Sequence, residues 1–476
     1  MSYLLLIIFP LAMAGGAFAL RRDTRLTGWF GVAAIVVELW LALSVPLDLP
    51  AQVLEITVGY DQFDRLFLAT LCLSSLFVAG SFLVTPPGEY WIATLLLLLG
   101  ASAAMLVIQE PLVVVTLLLL AGLLGGMQLV DQPVGSALLL RPQTLAMAIK
   151  YMVLVALGGL FLLIAFVLAT AFERQLAGSS VALMRVIFGL LLIGAAVRLG
   201  LIPFHLWVPD VVEETPPPTM FVHAGLLTML ALPVVLVALQ TQPQLLIGNV
   251  SGRWLLIGLG SFSTLLGGVV ALLTSEQRRA LAFLLIANVG LLAIGLGIGT
   301  IAGVSAALLG ALHHVVATAL IAVAVTLLER PVPGRREQAG ALRERPVAAL
   351  SLLLGVLVLL GAPPFSGWTA RLMLIAAAGE SWLTLAPTFG GLALMGLSAA
   401  RLLQRALLRP PETPSVRGLL SDDLARLQVV ELSYAPPLLL GALLAVGAGL
   451  LLAGLWPYPI MAQVDETVRS FSFLRQ

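Results

Sequence analysis

The sequence predicts an all-α, polytopic membrane protein. Hydrophobic residues make up 60% of the chain and charged residues 10%, where a soluble domain carries roughly 25% charge. Mean hydropathy is +1.08. Apolar runs of bilayer-crossing length recur from one end to the other. One integral membrane domain accounts for such a chain better than several soluble ones.

The first run, MSYLLLIIFPLAMAGG, lacks the basic start of a signal peptide and is expected to be a retained first span. Further spans are expected near 28–45, 64–84, 91–108, 111–130, 145–169, 182–204, 217–239, 253–273, 280–299, 301–328, 346–376, 383–404 and 436–457, about fourteen in all. Charge and proline clusters at 21–25, 86–87, 213–218, 276–279 and 329–346 separate them. Residues 54–65, LEITVGYDQFDR, alternate like a short extramembrane hairpin. The polar stretch 404–430, with Arg405, Arg409, Arg417, Asp422, Asp423 and Arg426, reads as a solvated cytoplasmic segment. Loops after odd-numbered spans hold about sixteen Lys/Arg and those after even-numbered spans about four. That asymmetry places both termini on the non-cytoplasmic side.

Composition also excludes function classes. A net charge of +1 with no basic block gives nucleic acid nothing to bind. The lone cysteine, Cys72, rules out internal disulfides and cysteine-only metal sites. No phosphate-binding loop, metal-ligand cluster or nucleophile–base arrangement is present, so no bound cofactor or metal is expected. The only lysine is Lys150. A high-GC genome would produce the arginine bias without any functional cause, and whatever the cause its consequence is chemical: a desolvated lysine can lose its proton, whereas arginine effectively cannot.

Residues 198–224, RLGLIPFHLWVPDVVEETPPPTMFVHA, put five prolines, two histidines and three acids between apolar runs. Lipid satisfies no free backbone group, so such a stretch belongs inside protein or along a wet cavity, and its ionisable groups are functional candidates. A partner lies at 360–371, LGAPPFSGWTAR. GLIPFHLW (200–207) echoes GAPPFSGW (361–368) about five spans later, as in inverted-repeat transporters with broken helices. The breaks are expected at Pro203, Pro363 and Pro364, each lacking an amide donor. Glycine runs at 122–126 and 390–391 suit close helix packing.

Several motifs, in order, resemble the antiporter-like membrane subunits of respiratory complex I and of Mrp-type cation/proton antiporters and membrane hydrogenases. They are Ala148-Ile-Lys150-Tyr151 at the opening of the sixth span and Pro203-Phe-His205-Leu-Trp207-Val-Pro209-Asp210. Pro216-Pro-Pro218 with His223-Ala224 and Glu276-x-x-Arg279-x-Leu281-Ala282-Phe283 with Ile286-Ala-Asn-Val-Gly290 follow. His313-His314 and Pro363-Pro-Phe-Ser-Gly-Trp368 complete the series. The resemblance implies two inverted five-helix repeats at 89–239 and 253–404, with N-terminal spans at 1–88 and a surface segment and last span at 405–476. It implies an energy-transducing prokaryotic membrane, neighbouring membrane subunits and lipids, and a quinone and redox centres held by other subunits. The chain stops soon after its last span, like the shorter family members.

The family also implies a mid-membrane row: a glutamate on the fifth span and lysines on the seventh, eighth, eleventh and twelfth. Here those places fall near Leu119, at Arg198, near Leu227, at Ala317 or Thr318, and at Arg371. None keeps the family's residue type. The expected function is therefore an antiporter-like subunit of a complex I-type quinone oxidoreductase with an altered or impaired proton path. The alternatives are a non-pumping adaptor paralogue, or a subunit of a Mrp-type antiporter, hydrogenase or inorganic-carbon uptake complex.

The proton-path or buried-charge candidates are Arg198, His205, His223, His313, His314, Arg371 and Lys150. Arg198 and Arg371 either hold the row's positive charge without its titration or snorkel to an interface. Arg198 needs partners, for which backbone carbonyls of the break, Asp210, Glu213, Glu214, a neighbouring subunit or water are candidates. His223, His313 and His314 could link the two repeats; His205 is expected to cap the broken helix. Lys150 is expected at the head of its span, as an anchor or paired with Glu110 or Asp131.

Overall fold

A leucine-rich helix in lipid needs no help along its length; what fixes it is its ends, its breaks and its small residues. The structure is a computed structural model that describes residues 2–47, 51–53, 56–83, 85–131, 142–172, 181–246, 249–329, 341–408 and 437–474. Helices α1 (Ser2–Leu20) and α2 (Thr24–Ser44) are followed by a two-stranded antiparallel hairpin, β1 (Ala51–Val53) and β2 (Ile56–Val58). The hairpin exists, but it sits earlier than the expected 54–65. Asp61 and Asp64 form a reciprocal capping box that starts α3 (Gln62–Phe82) and takes residues 62–65 into helix.

Next come α4 (Trp91–Val107), α5 (Pro111–Gln128), α6 (Pro142–Ala171) and α7 (Val181–Leu199). After a break follow α8 (Trp207–Glu214) and α9 (Pro217–Thr241). Then come α10 (Val250–Leu273), α11 (Gln277–Ile298), α12 (Ile301–Leu328) and α13 (Pro346–Leu360). A second break leads to α14 (Gly367–Ala378), α15 (Trp382–Leu403), α16 (Pro437–Leu455) and α17 (Tyr458–Ser470). Pro111, Pro217 and Pro346 open helices, where a missing N–H costs nothing. The expected surface residues Arg409, Arg417, Asp422, Asp423 and Arg426 lie outside the described residues.

Among the described residues eleven helices are long and apolar enough to cross a membrane, or twelve if α16 and α17, bent by 69°, count as one span. Fourteen is reached only by adding the 17-residue α4 and the interrupted α13/α14 pair. Helix α12 is the axis, packed by α3, α9, α11, α13, α14 and α17. Helix α11 is buried along almost its whole length. The outer helices expose Trp29, Trp40, Trp254, Trp382 and Trp456, as lipid-facing surfaces do.

The two breaks are the same local motif used twice. Gly200 (φ 67°) and Gly361 (φ 70°) take the left-handed conformation that ends a helix. The Gly200 and Leu201 amides donate to Val197 and Ala196; the Gly361 and Ala362 amides donate to Val358 and Leu357. The amides of Phe204 and Phe365 each donate to the residue three before. Each break includes a cis peptide, Ile202–Pro203 and Pro363–Pro364.

Candidate functional site

At the first break two motifs sixty residues apart meet pairwise. The Lys150 ammonium lies 2.7 Å from Asp210, so its partner is neither Glu110 nor Asp131. Glu110 precedes α5, and Asp131 accepts from the Tyr90 amide. Lys150 also sits two turns inside α6, which begins at Pro142. Beside it, the Tyr151 ring packs edge-on against Trp207 at 5.3 Å and against His223 at 4.9 Å. The Trp207 indole N–H donates to the Val197 carbonyl at 3.0 Å, alongside the Gly200 amide that caps the helix there.

Arg198 stands in the last turn of α7 with 2% of its surface exposed. Its Nε and Nη2 are buried without a hydrogen-bond partner. None of the expected acids reaches it: Asp210 is held by Lys150, and Glu213 faces Arg279 at 3.6 Å. The guanidinium lies beside Tyr151, the side chain with which it interacts. It fills a notch in α5 left by Gly122, where an added Cβ would come within 2.2 Å of Nη1. The position expected to replace the family's glutamate, Leu119, faces Gly159 of α6 instead.

At the second break the Arg371 guanidinium is bonded through Nε and Nη2. Arg371 on α14, 5% exposed, donates to the Leu359 carbonyl at 2.6 Å and the Leu360 carbonyl at 3.1 Å. These are carbonyls at the end of α13, which a helix terminus leaves free. Arg371 also donates to Asn288 Oδ1 on α11. A guanidinium only donates, so it fixes the Asn288 amide, whose Nδ2 then donates to His314 Nδ1 at 2.9 Å. The His314 proton must then be on Nε2, which donates to the Ala224 carbonyl of α9 at 2.8 Å. Neither Arg198 nor Arg371 snorkels; both end inside the protein.

The Ala224 carbonyl is available because residues Phe221–Leu227 form a π-helical turn, in which the Thr228 amide reaches back to His223. Such turns expose backbone groups and occur at functional sites. The preceding His223, 0% exposed, has Nδ1 2.9 Å from the Thr219 carbonyl and Nε2 2.9 Å from the Gly125 carbonyl of α5. A neutral ring donates to one of them; only the imidazolium donates to both. His313 points the other way, with Nδ1 on the Leu309 carbonyl at 2.5 Å and Nε2 on Ser366 Oγ at 2.7 Å.

Of the three histidines expected to join the repeats, His314 and His223 meet at the π-turn, whereas His313 ties α12 to the second break. The Gly200 and Leu201 amides close the helix end, and His205 lies within hydrogen-bonding reach of the Pro203 backbone in the break. Its ring lies against Phe283 and its Nδ1 has no partner. Asn288 is the residue sequence reasoning missed, and its signal was a lone amide in an otherwise apolar stretch, LLIANVGLL.

The family model for NADH:quinone oxidoreductase/Mrp antiporter transmembrane subunits matches residues 137–396, which contain both breaks, Lys150, Arg198, Asn288, Arg371 and all four histidines. The chain belongs to that family. It is 30% identical over 429 residues to NADH-quinone oxidoreductase subunit N of Ectopseudomonas mendocina, covering 83% of each chain. Its fold matches a chain of respiratory complex I from Thermus thermophilus with TM-score 0.78, 21% identity and complete coverage of both. It also matches a chain of the Mrp complex from a Dietzia species with TM-score 0.78 and 21% identity, over 98% of this chain and 97% of that one. Helix α5 carries no acid, and the notch opposite Arg198 is formed by Gly122.

Proposed function

We propose that the chain is a membrane subunit of a complex I-type NADH-quinone oxidoreductase, with a proton path altered from that of its family. Quinone and redox centres belong to its neighbours in this reading, other membrane subunits and lipids surround it, and both termini face the non-cytoplasmic side. The observation that supports it most is the bonding of Arg371, Asn288, His314 and the Ala224 carbonyl. Each donor in that series already has a protein acceptor. A proton added at His314 Nδ1 would have to displace the Asn288 amide, so the row works as a tie between helices and a fixed charge rather than a ready relay.

The test is reconstitution of the assembled complex with Arg198→Ala or Arg371→Gln. Subunit retention and melting temperature should fall while the protons moved per quinone reduced stay near the wild-type value in the complexes that survive. Selective loss of pumping in a fully assembled complex would defeat the reading. The absence of any acid on α5 favours one rival, a non-pumping adaptor. For that rival, pumping by the whole complex would be indifferent to every substitution in the row, including His223→Ala.

A further inference from the structure

Glu38, midway along α2, takes no part in either break. It shares a buried face with Gly31, Ala34, Ile35 and Ala42, and α2 packs on α1, α3 and α4. The residue is 0% exposed, and neither carboxyl oxygen has a hydrogen-bond partner. Cys72 on α3 and Tyr60 just before α3 are the titratable groups facing it. Helices α1 and α4 contain no charged residue. Arg65 is turned to the Val45 carbonyl, and Asp64 is engaged with Asp61 in the capping box. Among the described residues no cation forms an ion pair with Glu38.

An ionised carboxylate left dry and unpaired is far more costly than a neutral acid in the same place. A metal cation would demand several oxygen ligands. Among the described residues no group of three or more His, Cys, Asp or Glu side chains could hold a metal ion, and the Tyr60 hydroxyl and Ala42 carbonyl already bond each other at 3.1 Å. We infer that Glu38 is a proton-binding site: a neutral carboxylic acid in the seam between α2 and α3, exchanging its proton with solvent at the hairpin end of α2. The route is the shorter one. Six residues, about 9 Å of helix, separate Glu38 from Ser44, against about 21 Å back to Thr24. Tyr60 stands on the short side, its hydroxyl on the carbonyl one turn beyond Glu38.

Infrared spectroscopy of the full-length protein in lipid nanodiscs tests this. The wild type at neutral pH should show the C=O stretch of a protonated carboxyl that is missing in Glu38→Gln and displaced, not lost, in Glu38→Asp. The band should shift in D₂O, and Tyr60→Phe should slow that shift several-fold. No difference between wild type and Glu38→Gln in the protonated-acid region would overturn the assignment. A band unmoved by D₂O, or exchange unaffected by Tyr60→Phe, would overturn the exchange route. Bleaching of the band by sodium chloride at constant pH would show that a metal cation, not a proton, is the ligand.

Discussion

His314 Nε2 lies 2.8 Å from the Ala224 carbonyl, and that bond joins the helices around the second break to the π-turn of the first half. Its direction is set two residues away, because Arg371 can only donate and so orients Asn288. Asn288→Leu should therefore cost about 2 kcal/mol, the worth of hydrogen bonds to a charged group. It leaves Arg371 with only the Leu359 and Leu360 carbonyls and His314 Nδ1 with no donor. Asn288→Asp keeps an acceptor for Arg371 and should be the milder change. Thermal unfolding in detergent should rank wild type above Asp and Asp above Leu; the reverse order of the two variants would contradict the bonding scheme.

Gly122→Ala puts a methyl group within 2.2 Å of Arg198 Nη1 and 2.4 Å of the Val155 side chain. Overpacking of this kind costs about 1–3 kcal/mol. Removing the guanidinium in the same chain should return part of that loss, so Gly122→Ala with Arg198→Met should be less destabilised than the sum of the two single variants. Additivity in a double-mutant cycle would mean that the two residues do not share the notch.

The Lys150–Asp210 pair spans two motifs, yet both side chains are 39% exposed. Solvent screens such a pair, and its net worth is about 0.2–1 kcal/mol. Lys150→Met and Asp210→Asn should each lower the melting temperature slightly. The double variant should fall little further than either one, and added salt should narrow the gap to wild type. A large loss from Lys150→Met alone would show that this lysine serves something other than Asp210.

Much of the architecture is legible in the chain because lipid imposes simple rules. Apolar length predicts the spans, and glycine followed by proline predicts both interruptions, where Gly200 and Gly361 repeat the same capping bonds. The partners of the buried charges were not legible. Arg371 is satisfied by backbone carbonyls, which every sequence supplies at every position, and by an asparagine 83 residues away. For Arg198 the sequence offers acids, backbone carbonyls, a neighbouring subunit or water; within the chain its place is made by a missing side chain, Gly122, and an aromatic hydroxyl, Tyr151. The Lys150–Asp210 pair was within reach of the motifs, since both residues had been singled out, but their spacing carries no information about tertiary contact.

The space between Leu119 and Arg198 bears most directly on whether the first half conducts protons. Leu119 is pressed against Gly159 of α6, where an added Cβ would meet its Cδ1 at 2.6 Å. Gly158 is in contact with Val197, and Gly194 of α7 lies against the Gly158 carbonyl and Leu162. Glycines thus draw α5, α6 and α7 together on the side of Arg198 where a carboxylate and its hydration would have to stand. No continuous file of water should run from Leu119 to Arg198, and a high-resolution density map of the assembled complex in lipid will show whether one does. Water confined to the unpartnered Nε and Nη2 of Arg198 agrees with a fixed charge. An unbroken file reaching α5 would mean that the glycine seam opens, and that the first half retains a conducting path in spite of its missing acid.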